Sequence, residues 1–306
     1  RLAAEPKSDL VGVAWEASKA SPSLKATLAA LADSDPLPLL PQTGWEETTL
    51  LAAVMAGAPA GFIRDLMEVN LPLAGRCMAS PELPQIADLK RHLQQALIER
   101  TQDKNADLRA RIAAGLALGN LGDTRFERRT GPHGGYLLPP LKTIPAGEYP
   151  IGSDEGLYDD EGPAHRVRLA AFQIGEFPVT NAEYRLFIEA GGYEDERWWR
   201  TEVAKAWRRG EGASEGPKQG QREFRQKLKA VSEEHIKNLV KQNRITSKQA
   251  EDWATIRNWT EEPFEAWLEE IYPANKRYTE PGYWNDESYN NPNQPVVGIC
   301  WHEAWA

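Results

Sequence analysis

At 306 residues, 41% hydrophobic and 26% charged, the chain is ordinary globular material, long enough for two domains with their own cores. A net charge of −9 argues against a nucleic-acid-binding surface, no apolar run approaches the length of a membrane span, and no signal peptide is visible. Cys77 and Cys300 lie far apart in apolar contexts, which speaks against a disulfide framework or a cysteine zinc site and leaves a reducing, cytoplasmic setting as the default.

Residues 1–130 read as helical. Apolar residues recur at three- and four-residue spacings in 9–17, 23–31, 46–55 and 59–67, with Pro or Gly between the runs. Two longer helices follow. One is expected over about 84–101 with Leu89, Leu93, Leu97 and Ile98 inward; the other, over about 105–121, turns Leu108, Ile112, Leu116 and Leu118 inward and leaves Arg109 and Arg111 outside. Small residues Ala110, Ala113, Ala114, Gly115 and Ala117 in the second let another helix approach closely, and Gly119-Asn-Leu-Gly-Asp123 supplies a stop. This run resembles a HEAT-type repeat helix, but no clean period precedes it, so a HEAT-like or irregular helical scaffold and a compact bundle both stand.

Gly and Pro at 131–140 break the helical pattern and mark a linker, beyond which strand-length segments appear at 141–145, 147–152, 165–174 and 177–179. In His165-Arg-Val-Arg-Leu169 the alternation puts Val167 and Leu169 on one face. A helix capped by Thr180 or Asn181 runs to Gly191-Gly192. A polar, Trp-rich stretch over about 194–281 reads as a helical insertion, with a flexible loop at 210–217, one amphipathic helix over 221–242, and helix starts at Ser247 and Thr260. The terminal Pro295-Val-Val-Gly-Ile-Cys-Trp-His-Glu-Ala-Trp-Ala306 reads as a strand entering the first turn of an uncapped helix. With Arg1 in place of an initiator Met, the chain is expected to be an internal fragment of a larger protein.

An ordered series of segments carries a family resemblance: Ile144-Pro-Ala-Gly-Glu-Tyr-Pro-Ile-Gly152, Glu161-Gly-Pro-Ala-His-Arg-Val-Arg-Leu169, Phe172-Gln-Ile, and Pro178-Val-Thr-Asn-Ala-Glu-Tyr-Arg-Leu-Phe-Ile188. Gly191-Gly-Tyr-Glu-Asp-Glu-Arg-Trp-Trp199 and Asn290-Asn-Pro-Asn-Gln-Pro-Val-Val-Gly-Ile-Cys-Trp-His-Glu-Ala304 complete it. Over about 137–306 the chain resembles the formylglycine-generating enzyme (sulfatase-modifying factor) domain. The resemblance implies an α+β C-type-lectin-like fold, here incomplete at its C-terminus, following the all-α region, so that 141–306 supplies the N-terminal part of that domain. Thr43-Gly-Trp-Glu-Glu-Thr-Thr48 and Leu73-Ala-Gly-Arg-Cys77 resemble the helical region of bacterial multidomain proteins that carry a NACHT-type NTPase first. No Gly-x-x-x-x-Gly-Lys-Ser/Thr motif is present, so an NTPase is expected upstream of Arg1 if it exists.

The resemblance implies copper chemistry only with a cysteine pair that the family carries beyond the terminal strand. Cys300 stands where that strand usually has Ser and is read as structural. The related iron-dependent sulfoxide synthases draw histidines from a helical domain, whereas residues 1–130 hold only His92. No catalytic or cofactor-binding residue is therefore assigned, and the metal ligands are unknown. His165 reads as a structural residue at a strand start, and His302-Glu303 lacks the second His of a helical zinc site. Asp154, Glu155, Asp159, Asp160 and Glu161 form an acidic cluster open to Ca²⁺, but without EF-hand spacing they read first as a solvated loop. Trp198, Trp199, Trp207, Trp253 and Trp259 either fill the core or line a ligand surface, with core preferred, and Asn258-Trp-Thr260 is a chance glycosylation triplet. Three functions remain: a module binding or sensing a protein or peptide ligand in a bacterial signalling or defence protein, with no nucleic-acid or membrane partner; a formylglycine-generating or related metal-dependent oxidase; and a structural fragment or protease substrate.

Overall fold

The computed structural model describes residues 2–32, 36–84, 86–155 and 161–306. The N-terminal region begins with α1 (Ser8–Val11), α2 (Leu24–Ala30), α3 (Glu46–Met55), α4 (Pro59–Val69), α5 (Leu71–Ala79), α6 (Ala87–Gln102) and α7 (Leu108–Leu121). Pro72 falls in the first turn of α5, where its missing N–H is no loss, and Asn70 caps that helix by accepting from Leu73 N. The core lies between α4, α5, α6 and α7, around Ile63, Leu66, Met78, Leu93, Leu97 and Leu118, all below 3% exposed. Gly75 marks the closest helix approach: a Cβ there would stand 2.9 Å from the Ala117 methyl.

The inward face of α7 differs from the one expected. Leu108 and Ile112 are exposed, at 42% and 39%, while Arg109 is buried at 2%. Asp107 holds it there: Arg109 Nε and Nη2 donate to the two carboxylate oxygens at 2.9 Å, Nη1 to Thr27 Oγ1 and Nη2 to Pro22 O. The guanidinium keeps the Asp107 carboxyl below its usual range through the same hydrogen bonds. Fully satisfied, this fork ties the 22–27 segment to α7, and the apolar pattern alone does not reveal it.

The expected linker at 131–140 is partly structured. β1 (Glu127–Gly131) and β2 (Gly134–Leu138) form an antiparallel hairpin in which Gly134 adopts φ +122°, a conformation that favours glycine. β3 (Leu141–Ile144) pairs with β6 (Phe172–Gly175), and β4 (Gly147–Ile151) pairs with β5 (His165–Leu169). The segment 165–174 is thus two strands in different sheets, separated at Ala170-Ala171. The described strands make three two-stranded sheets. The terminal segment expected as a strand makes only an isolated bridge, Pro295 to Thr180.

After α8 (Asn181–Glu189) and a 3-10 turn at Glu196–Trp198 comes the insertion: α9 (Glu202–Arg208), α10 (Glu215–Ala230), α11 (Glu233–Lys241), α12 (Ser247–Asn258) and α13 (Glu261–Ile271). Two expectations change here. Helix α10 starts inside the segment read as a flexible loop, and Ser232, whose side chain accepts from His235 N, starts a separate α11 where one helix was expected. Helix α12 starts at Ser247 as expected, with Thr246 as its cap. Along α10, Lys218, Arg222, Arg225 and Lys229 share a face and meet Glu269, Glu265 and Glu261 of α13 in antiparallel order. A final short helix, α14 (Trp301–Trp305), ends the chain.

Candidate functional site

The site grows from α8. Its capping box is complete: Thr180 Oγ1 accepts from Glu183 N, and Glu183 Oε2 accepts from Thr180 N at 2.8 Å. This fixed start presents Tyr184 and Phe187 on the inner face. The helix ends at Glu189, Gly191 turns the chain just beyond it with φ +77°, and Gly192 lies so close to Phe187 that a Cβ would come within 2.3 Å of its ring. The chain then turns Tyr193 and Trp199 inward, to 2% and 1% exposure, and Trp199 Nε1 donates to Gly192 O at 3.0 Å.

Glu303 of α14 closes the nest from the other side. It is the third residue of its helix, and its Oε2 accepts from Cys300 N at 2.7 Å. Its Oε1 accepts from Tyr193 OH at 2.5 Å, and that phenol sits 3.1 Å from Tyr184 OH. Around this line Trp207 stacks on Trp199, with centroids 5.6 Å apart, and on Tyr278, at 5.0 Å and nearly parallel. Burial pushes Tyr184, Tyr193 and the Cys300 thiol up and raises the Glu303 carboxyl. The phenols and thiol are therefore held protonated at neutral pH, and the nest works as a lock between α8 and α14.

Beside the lock, on the solvent side, Trp198, Arg200, Thr201, Ala204, Trp301, His302 and Trp305 line a small pocket of about 50 Å³. Trp301 and Trp305 meet edge to face at 5.4 Å, and they are 71% and 50% exposed. The pocket therefore offers aromatic walls, one guanidinium and one imidazole on a rigid base.

The candidates from the sequence divide accordingly. Glu303 is a buried acceptor and His302 lines the pocket. Trp199 is core, Trp198 and Trp207 are partly buried around the nest, and Trp253 and Trp259 pack within the insertion against Phe224 and Trp267. His165 is exposed at the start of β5, its Nδ1 3.0 Å from Pro163 O. Asp154 accepts from Ala164 N as a loop staple; Asp159 and Asp160 lie outside the described residues. His92 is exposed on α6, and Asn258 is exposed at the end of α12. Sequence reasoning missed Tyr184 and Tyr193, and took Glu303 only as part of a failed zinc pattern. The signal was there in its place three residues after Cys300, the spacing of a capping box.

The residues present do not fit the copper or iron of formylglycine-generating and sulfoxide-forming enzymes. Among the described residues no three His, Cys, Asp or Glu side chains gather to hold an ion. Cys77 is buried in the core of the helical region, outside the family match, and Cys300 stands just before α14; burial pushes the first thiol up to about 12 and raises the second.

The model of the sulfatase-modifying factor enzyme 1-like domain matches residues 137–306, which contain the strands β3 to β6, the nest and the pocket. The chain belongs to this family. It is similar to hercynine oxygenase of Mycolicibacterium smegmatis, 47% identical over 60 residues, which make up 18% of this chain and 14% of that protein. Hercynine oxygenase of Mycolicibacterium thermoresistibile is 61% identical over 41 residues, 13% of this chain and 9% of the relative. The formylglycine-generating enzyme of Mycobacterium tuberculosis is 39% identical over 57 residues, 19% of each chain. The chain thus spans less than a fifth of the length of these relatives.

Proposed function

We propose that the sulfatase-modifying-factor-type domain of this chain is a recognition module that takes a side chain of a protein or peptide ligand into the Trp198–Trp301–Trp305 pocket, carried on the N-terminal helical region as part of a larger bacterial signalling protein. The observation that supports this reading is an exposed aromatic pocket beside Arg200, set on a base that Glu303 and Tyr193 lock. Solvent-facing indoles beside a guanidinium suit an apolar or aromatic side chain next to a carboxylate, and a rigid base limits the ordering that binding requires. A peptide array probed with the protein tests the idea. Peptides carrying an aromatic residue beside an acidic one are expected to bind, and W301A and R200A each to weaken binding at least tenfold; retention of every peptide by W301A sinks it.

Similarity to hercynine oxygenases and formylglycine-generating enzymes favours a second reading, an oxidase-type activity whose metal ligands are unassigned. Incubating the full-length protein with copper and a Cys-containing sulfatase peptide distinguishes the two. An aldehyde product detected by hydrazide capture replaces the binding-only reading; an unchanged peptide leaves recognition as the function.

A further inference from the structure

The loop at 289–295 is gripped from two sides. Towards the helical region, Asn291 Nδ2 donates to Leu116 O at 3.0 Å and to Asn120 Oδ1 at 3.3 Å, and Asn293 Nδ2 donates to Asp123 Oδ2 at 3.0 Å and Gly115 O at 3.3 Å. Gly119 makes this approach feasible: a Cβ there would stand 2.4 Å from Asn291 Oδ1 and 2.9 Å from Asn293 N. On the other side the buried Asn181, first residue of α8, donates from Nδ2 to Tyr289 O and Asn291 O, and from its backbone N to Gln294 O. Ala182 N donates to Pro292 O, and Val296 N to Val179 O. A parallel tie runs through Asp123, whose carboxylate pairs with Arg125, and the Arg125 guanidinium lies 4.6 Å over the Phe177 ring, just ahead of α8.

We propose that α7 is a working part of the family domain, acting as a clasp that positions loop 289–295 and, through Asn181, the start of α8. The family match begins at residue 137, whereas the clasp residues Gly115 to Asp123 precede it. From the loop only Val296 to Ile299 separate the clasp from Cys300 and Glu303, and α8 carries the Tyr184 end of the same lock. Opening the clasp therefore loosens both walls of the nest, and an event that shifts α7 against α5 and α6 is felt there. The inference is independent of any ligand at the pocket.

Hydrogen–deuterium exchange on the intact chain tests it, read separately in peptides covering 87–102, 181–189 and 289–300. In N291A/N293A, exchange over 181–189 and 289–300 is expected to rise at least tenfold while 87–102 keeps its protection. Wild-type rates over 181–189 would overturn the proposal, and so would loosening spread equally over all three peptides. Should the double variant not fold, N293A alone carries the same two outcomes with a rise of about threefold. A mutant cycle supplies the specific signature: G119A pushes against Asn291 Oδ1, so its effect on 181–189 exchange is expected to shrink in the N291A background. Additive effects would show that the two residues do not act through one clasp.

Discussion

The N-terminal region and the insertion are both helical, but different physics holds each of them together. Between α4, α5, α6 and α7 the contact is apolar, with Leu and Ala side chains meeting at full burial, while the buried Arg109–Asp107 pair stands at the start of α7 outside that apolar cluster. The insertion buries far less, chiefly Leu228, Ile236, Ile245, Phe264 and Leu268, and joins α10 to α13 through the ladder from Lys218–Glu269 to Lys229–Glu261. Two of the cations in that ladder, Lys218 and Arg225, are nearly fully buried while their partners Glu269 and Glu261 stay exposed. Their aliphatic stems thus supply apolar packing, and their heads reach the rim. A helical assembly can therefore be built with few core residues, at the expense of becoming sensitive to salt and acid.

Substitutions can break this contrast, and the largest effect is expected in the apolar core. L97A removes a fully buried side chain and should lower the stability of the helical region by about 2–5 kcal/mol in chemical unfolding. In the insertion, R225A should reduce stability by about 1–3 kcal/mol, because its guanidinium also donates to Ile256 O and Trp259 O, which then lose their partner. An R225K variant that keeps full stability would show that charge alone matters there and the fork does not.

The pH response should have opposite signs in the insertion and in the nest around Glu303. Hydrogen bonds from Arg225 and Arg222 hold the Glu261 and Glu265 carboxyls below the reference value of 4.5, so their contribution is present above 4.5 and is lost as pH falls through the lowered values. Burial raises Glu303, so its contribution is complete below 4.5 and is lost as pH rises through the folded value. Exchange in α10 and α13 should accordingly increase on acidification, while E303Q should flatten the pH dependence of protection in 181–189 above pH 4.5. A wild-type pH profile in E303Q would assign that dependence elsewhere. The smallest effects belong to the solvent-facing pairs. At 1 M salt, exchange in α10–α13 should rise modestly while α6 stays unchanged, and K248A, which breaks an exposed i,i+4 pair with Asp252, should leave the melting temperature unaltered.

Much of the chain was legible in its residues. Periodic leucines placed α6, Thr180 and Glu183 announced the start of α8, and the alternation in His165–Leu169 gave β5, because each signal depends on neighbours within a turn or two of chain. The ordered motifs from Ile144 to Ala304 identified the domain that the family match places at 137–306. The hairpin at 127–138 was lost because Gly and Pro density looked like a linker, and the break between α10 and α11 because the apolar residues run through Ser232 at helical spacing. Within the candidate site, the Trp cluster and His302 were visible as residue types, but their grouping was not.

What the sequence by itself determined is local: caps, periodicities, the acidic balance and the family motifs. Only the tertiary structure decided that Arg109 goes inside with Asp107, that Glu303 meets Tyr193 across 110 residues, and that Asn291 and Asn293 grip α7 some 170 residues away. In each case a polar side chain finds a partner supplied by another part of the fold, which for Arg109 is Thr27 and the Pro22 carbonyl beside the local Asp107. Periodicity reports only which face is apolar, whereas the burial of a charge or an amide depends on a partner that exists once the chain has closed on itself.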